Sequence, residues 1–262
     1  MKKIVFLLVG LVVSTMVSAQ EKSYKIGVKF SPSVGYMKTA SSDISANGLS
    51  VRLGYGLMVD RMFSEKYGFG FGLNMIEFAG HAEYTRLYEV PNMAPTIQYV
   101  KRDYEKIKYI ELPITLKLRT SIMGKFTYWG QFGLGLGYLY SAYSDEELTD
   151  LYQKIDAANN GPFARVSNAV IENNGQSVRG EFNPFRASMI IALGAESVIS
   201  QSTLFTYGVT YNGGLLSMYG SNEKVVKYSE GAVSFENDAK TPVFGDKKVM
   251  LNQVQLNVGI IF

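Results

Sequence analysis

Few side chains in this chain of 262 residues could carry out covalent chemistry. His81 is the single histidine. With Glu83 close in sequence, and a serine such as Ser141 brought to it by folding, it could form a Ser–His–acid set, in which imidazole takes the hydroxyl proton and the acid orients the ring. No nucleophile motif accompanies it, and a solvated loop histidine is the plainer reading. There is no cysteine, which removes disulfides, thiol catalysis and thiolate metal sites. A single histidine without cysteine does not make a transition-metal set. Asp145, Glu146, Glu147 and Asp150 lack calcium-loop spacing and suit the N-terminal end of a helix. Gly68-x-Gly70-x-Gly72 and Gly133-x-Gly135-x-Gly137 repeat every second residue. A phosphate-binding fingerprint has GxGxxG between strand and helix. No catalytic residue, cofactor site or metal site is expected.

The strict period of two belongs to strands, whose successive side chains point to opposite faces. Eight such segments run through the chain. Tyr24–Met37 sets Ile26, Val28, Phe30 and Val34 against Lys25, Gly27, Lys29 and Ser33. Gly48–Arg61 sets Val51, Leu53 and Leu57 against Arg52, Gly54, Gly56 and Asp60. The third starts at Tyr67 and the fourth, around Tyr109–Arg119, faces Glu111, Thr115, Lys117 and Arg119 away from Ile110, Leu112, Ile114 and Leu116. The fifth spans Phe126–Tyr140, the sixth faces Arg186 and Glu196 away from Met189, Ile191 and Leu193, the seventh is a weaker Phe205–Asn212, and the last ends on Phe262. Each suffices to cross a bilayer at a tilt, which takes about 9–11 residues. The connections Met62–Lys66, Thr120–Gly124 and Ser200–Ser202 are short, whereas Glu77–Tyr104, Ser144–Pro184 and Ser217–Lys248 are long. Within the third long connection Ser144 and Glu147 form a capping box, and Leu148, Leu151, Tyr152 and Ile155 recur at helical spacing. A short helix, Asp145–Ala158, is expected there, covering part of the barrel mouth or packing on its own loop.

Lys2 and Lys3, the apolar run Ile4–Val13 and Val17-Ser18-Ala19 make a secretory signal peptide over residues 1–19. Residues 20–262 then form one domain. The net charge of +3 loses two units with Lys2 and Lys3, which gives no basis for nucleic-acid binding. Nothing after the signal is apolar for 18 residues, so no helix is expected to span a membrane.

Alternation does not say which face is inside. A soluble ligand-binding barrel would turn the apolar face inward. Glycines opposite the bulky residues, aromatics near strand ends (Tyr24, Tyr36, Tyr67, Tyr128, Tyr138) and alternating short and long connections favour the inverse. The expected fold is all-β: an eight-stranded antiparallel up-and-down transmembrane β-barrel with long extracellular loops and one short loop helix, in outer-membrane lipid. Lys25, Lys29, Arg52, Asp60, Glu111, Lys117, Arg119, Arg186 and Glu196 then point into the lumen. Buried charges must be paired, so Glu111 and Glu196 are expected to be held by Arg52, Lys117 and Arg186 in a network that plugs the barrel. A narrow polar channel is the alternative.

Tyr109-Ile110-Glu111-Leu112-Pro113-Ile114-Thr115-Leu116-Lys117 resembles a strand of the PorT-like outer-membrane β-barrel proteins of the Bacteroidetes. Tyr24–Lys29, the glycine-alternating fifth strand and a signal ending Ala19-Gln20 fit the same family. The resemblance implies an eight-stranded outer-membrane barrel, in a family whose members mostly lack an assigned activity. The namesake takes part in type IX secretion, but the shared motif is a barrel strand, and the long loops match no secretion motif. The expected function is non-enzymatic: binding or structure through the outward loops. The alternatives are a secretion-system component that docks envelope proteins and, last, an enzyme acting on outer-membrane lipid through His81. Pro113, lacking an N–H, is expected to mark a bulge or a local break in the ladder.

Overall fold

The computed structural model describes residues 24–91, 93–166, 170–200, 203–220 and 223–262. The signal peptide expected over residues 1–19 lies outside them, as does part of the Ser200–Ser202 turn. Eight long strands form the wall: β1 Tyr24–Thr39, β2 Leu49–Met62, β3 Tyr67–Tyr88, β4 Thr96–Arg119, β5 Phe126–Lys154, β6 Phe185–Val198, β7 Leu204–Gly214 and β8 Val249–Ile261. Each pairs antiparallel with its sequence neighbour, and β8 returns to β1, with Val28 opposite Ile260 and Val34 opposite Val254. The ring is a closed eight-stranded meander, in which the strands present no free sheet edge at the short-turn end.

Its faces are inverted relative to a soluble barrel. Val51, Leu53, Leu57, Leu134, Leu136, Leu193 and Leu256 are exposed on the outside. Ser31, Asn74, Glu111, Lys117, Ser188, Thr210 and Gln255 are buried inside. Lipid is the solvent that makes such a pattern stable, because it rewards apolar contact outside and leaves polar groups to satisfy one another within. Tyr24, Tyr67, Tyr128 and Phe262 are exposed at one rim, and Tyr138 and Phe185 pack ring to ring at 5.8 Å near the other. The first rim carries the short turns, the start of β1 and the end of β8, where Ile26 and Phe262 exchange backbone hydrogen bonds of 3.3 and 2.7 Å.

Two prolines interrupt the ladder without shifting it. At Pro32 the β1–β8 pairing skips from Phe30↔Val258 to Ser33↔Gln255. Inside the barrel Ser31 Oγ donates to Asn257 Oδ1 at 2.8 Å across that gap. At Pro113 the β3–β4 pairing skips from Phe71↔Ile114 to Asn74↔Glu111 while the β5 side stays paired. Each ring removes one donor, and the result is a local break rather than a bulge.

The expected long loops are largely sheet. β3, β4 and β5 run for 22, 24 and 29 residues, against the roughly 9–11 needed to cross. Their far halves stand clear of the membrane as an extracellular sheet. Ile44–Asn47 adds to β3, while Ile171–Ser177 and Phe163–Arg165 add to β5. The connection before β8 folds back in three small ladders, Lys224–Val226 with Phe244–Asp246, Tyr228–Ser229 with Ala232–Val233, and Phe235–Glu236 with Thr241–Pro242.

The helix expected over Asp145–Ala158 is not formed. Ser144 to Lys154 continue β5, bonded to Thr96–Tyr104 on one side and to the two added strands on the other. Two ladders satisfy the backbone that a helix would have satisfied, and Leu148, Leu151 and Tyr152 bury against the cap instead. The 3-10 turn Ala157–Asn159 precedes Asn160 in the left-handed region at φ 53°.

Candidate functional site

The inward face of each crossing brings polar groups to the axis at two levels. Near the short-turn end, Lys117 of β4 pairs with Asp60 of β2 and, at 2.7 Å, with Glu196 of β6. Arg119 takes the second Glu196 oxygen at 2.5 Å. Higher up, Glu111 of β4 accepts from Arg186 Nη1 at 2.9 Å, Ser188 Oγ at 3.1 Å and Asn212 Nδ2 at 2.9 Å. Arg186 Nη2 donates to Asn212 Oδ1 at 2.8 Å and to the Leu251 carbonyl at 3.0 Å. Glu111 is fully buried and accepts from three side chains, which is what keeps a buried charge tolerable.

The structure thus brings Glu111 to Arg186 and Glu196 to Lys117. Arg52 is elsewhere. β2 and β3 are laddered only from Tyr55↔Met75 toward the short turns. Above that point the seam is open, and Ser50 Oγ accepts the Ala79 N–H at 3.3 Å in place of a ladder bond. Arg52 spans this opening: it pairs with Glu77 at 3.3 Å and donates to the Val51 and Glu105 carbonyls at 3.1 and 2.9 Å. Parity placed it in the lumen, but an unzipped seam lets its long side chain leave. Along the crossings the inward titratable groups are the cations Lys25, Lys29, Lys117, Arg119 and Arg186 and the carboxylates Asp60, Glu111 and Glu196.

Above Glu111 the interior turns apolar. Met37, Phe78, Ile107, Tyr109, Leu139 and Leu251 fill the upper barrel as part of one buried cluster that continues into the cap. A second cluster joins Ile97, Phe163, Val226 and Val233 under the far end of the sheet. Between them lies a buried ionic group that sequence reasoning missed. Arg102 is fully buried, paired with Glu146 and Glu181 and placed 5.8 and 5.9 Å from the Tyr84 and Tyr104 rings. Lys247 sits 4.0 Å from the Tyr84 and Tyr219 ring centres. Burial, then the Arg102 charge, brings the Lys247 amine down to about 7.

His81 lies on the outer face of the extracellular sheet, beyond the membrane crossing of β3. Its Nδ1 is 2.7 Å from Asp103 and its Nε2 is 3.1 Å from Glu83, which also accepts from the Tyr99 hydroxyl at 2.6 Å. Partial burial lowers the imidazole pKa, but the two carboxylates outweigh it and raise the value above the ordinary one. Both ring nitrogens are therefore occupied by acids. Ser141 is opposite Lys108, and Lys108 opposite Glu77. That places Ser141 four residues below His81, roughly 13 Å along the strands, and two strands across. Among the described residues no group of three or more His, Asp and Glu forms a metal-ligand set.

Among solved structures the chain is similar to the outer membrane protein OprG of Pseudomonas aeruginosa, at 11% identity and TM-score 0.42, covering 92% of this chain and 96% of that one. It is also similar to Ail, the attachment invasion locus protein of Yersinia pestis, at 11% identity and TM-score 0.35, covering 92% and 100%. A third is Neisserial surface protein A, at 6% identity and TM-score 0.37, covering 91% and 95%. Comparison with curated proteins finds no match. The family described as outer membrane protein beta-barrel domain matches residues 18–220. A lipid-facing apolar wall closed by eight strands is what that description requires, and the chain belongs to this family of outer-membrane barrels.

Proposed function

We propose that the protein is a non-enzymatic outer-membrane barrel of the PorT-like type, closed to solutes, whose working surface is the extracellular sheet of β3, β4 and β5. The observation that carries this reading is the stacking of two ionic layers beneath an apolar lid. Lys117–Glu196 and Arg186–Glu111 cross the lumen, and Phe78, Tyr109 and Leu139 fill the space above. Ions crossing an apolar layer lose their hydration, which costs far more than thermal energy. The lumen network is read as structural, holding the eight strands in register. The sheet, by contrast, is presented outward with charged side chains, including the ion pair of Lys101 and Glu147 at 3.1 Å.

Planar-bilayer recording on the purified barrel is expected to show no stepwise conductance above the lipid baseline; stable single-channel openings would overturn the closed reading. Cross-linking from positions on the sheet in native membranes, followed by affinity purification, is expected to recover a surface or envelope protein. Recovery of secretion-system components would assign that partner class, and a sheet that yields no adduct would count against a binding role. Residues 1–19 are read as a signal peptide, which N-terminal sequencing of the protein from outer membranes checks: the expected first residue is Gln20.

A further inference from the structure

The lipid-facing wall is not uniform. On β3 and β5 its outward side chains are bulky: Phe69, Phe71 and Leu73 on the one, Phe132, Leu134 and Leu136 on the other. Where β2, β1, β8 and β7 lie side by side, two successive outward rows are smaller. Val51, Val34 and Val254 stand opposite one another in the upper row. Pro32 beside Leu53, and Leu256 beside Val209, make the lower one. Here the wall carries a groove of about 270 Å³, lined by Pro32, Val34, Val51, Val209, Val254 and Leu256. Rings bound it on both sides. Tyr55, Phe30 and Tyr207 lie in the next row toward the short turns. Tyr36 and Tyr211, which meet through their hydroxyls, stand toward the extracellular side.

The groove follows from these residue types. A valine side chain ends one carbon beyond Cβ, so valines between rows of rings leave a depression. Valine is stiff at χ1 and the proline ring is fixed by its own closure, so the floor is set before anything enters it. In a bilayer a void forfeits the dispersion contacts of its lining. A hydrocarbon chain seated here touches wall at its sides as well as beneath, and those contacts offset the chain entropy it loses.

The outward face of β1 continues in a fixed order above the groove: Val34, Tyr36, Lys38. Hydrocarbon, hydroxyl and cation follow one another over about 13 Å at the rise of a strand. That is the order of chain, ester linkage and phosphate in a membrane lipid. Lys38 is exposed and forms no ion pair among the described residues.

We propose that this groove is a lipid-binding site of the outer wall. It seats one acyl chain of a phosphate-bearing membrane lipid, with the ester linkage at the Tyr36 and Tyr211 hydroxyls and the phosphate at Lys38.

The experiment uses the whole mature barrel in phosphatidylcholine vesicles. The probe is phosphatidic acid spin-labelled on its acyl chain, or the equally labelled diacylglycerol, which lacks only the phosphate. Electron spin resonance reads the fraction of probe immobilised on the protein. The expected result is a saturable immobilised component that prefers phosphatidic acid. Val34→Phe combined with Val254→Phe is expected to fill the groove and abolish that component, and Leu112→Phe, on the lipid-facing side of β4, to leave it intact. Lys38→Met is expected to cut the preference for phosphatidic acid about fivefold, which is what one lysine near an anionic headgroup contributes. An immobilised fraction that never saturates, or one unchanged when the groove is filled, would overturn the proposal and leave only the ordinary lipid shell. Equal binding of the two probes would overturn it as a site for a phosphate-bearing lipid. Should the double variant not fold, displacement of the probe from the unaltered barrel still decides: unlabelled phosphatidic acid is expected to compete and unlabelled diacylglycerol to fail, and no displacement by either would overturn the proposal.

Discussion

Glu111 concentrates the lumen energetics in one side chain. Its removal strands Arg186, which is almost fully buried beside it. Breaking a buried pair from one side costs about 3–5 kcal/mol, whereas replacing both partners by apolar groups is often near neutral. Glu111→Ala is therefore expected to lose most of that amount in urea unfolding from lipid vesicles, and Glu111→Leu combined with Arg186→Met to recover much of it. Lys247 provides a test through pH. Its folded pKa of about 7 lies below the 10.5 of a free lysine, so between those values the unfolded chain holds the extra proton. Cap stability then rises with pH across that window, and the full penalty applies below about 7. Hydrogen exchange at the buried Val225 and Val226 amides is expected to slow from pH 7 toward 10 after correction for intrinsic rates, and Lys247→Met to remove that trend. Glu111 and Glu196 were legible as lumen carboxylates because alternation in β4 and β6 is unbroken there. Asn212 and Ser188, which complete the Glu111 site, carry no charge and so gave no signal in the sequence. Arg102 was invisible as a buried residue because its surroundings read as loop.

At the scale of the strands, small residues and register shifts decide what alternation alone does not. Gly208 lies against the Trp129 ring from two strands along the same wall, with its would-be Cβ 2.9 Å from Trp129 Cζ2. Gly208→Leu is expected to overpack the lumen at a cost of about 1–3 kcal/mol and to lower the heat-modifiable fraction on gel electrophoresis. The crossings were readable almost to the residue: β1, β2 and β7 begin and end within two residues of the sequence expectation. The upper halves of β4 and β5 were not. Their pairing shifts between Ile97 and Gln98, between Tyr104 and Lys106, and between Lys108 and Tyr109. Every shift exchanges the two faces, so period two is lost over a stretch that is still strand. The capping box at Ser144 was a real local preference overridden by pairing on both edges of β5.

For the molecule as a whole, the orientation of the wall follows from the medium. Leu134 faces outward midway along the membrane-crossing part of β5 and is exposed to lipid. Leu134→Arg is expected to destabilise the folded barrel by about 2–4 kcal/mol in vesicles, as a cation at the bilayer midplane does. A soluble barrel would tolerate that change on its surface, so an unchanged unfolding free energy would overturn the membrane reading. Closure in a ring and the direction of its faces could be derived from residue order. The cap could not, since it depends on contacts between segments far apart in the chain. Val249 and Leu251, at the start of β8, belong to the cluster beneath the lid, beside Phe78 of β3 and Leu139 of β5. The strand that closes the ring thus supplies a keystone for the outward-facing half. An antibody raised against the assembled outer half would accordingly recognise only molecules whose two terminal strands have met, giving a surface-side gauge of finished insertion.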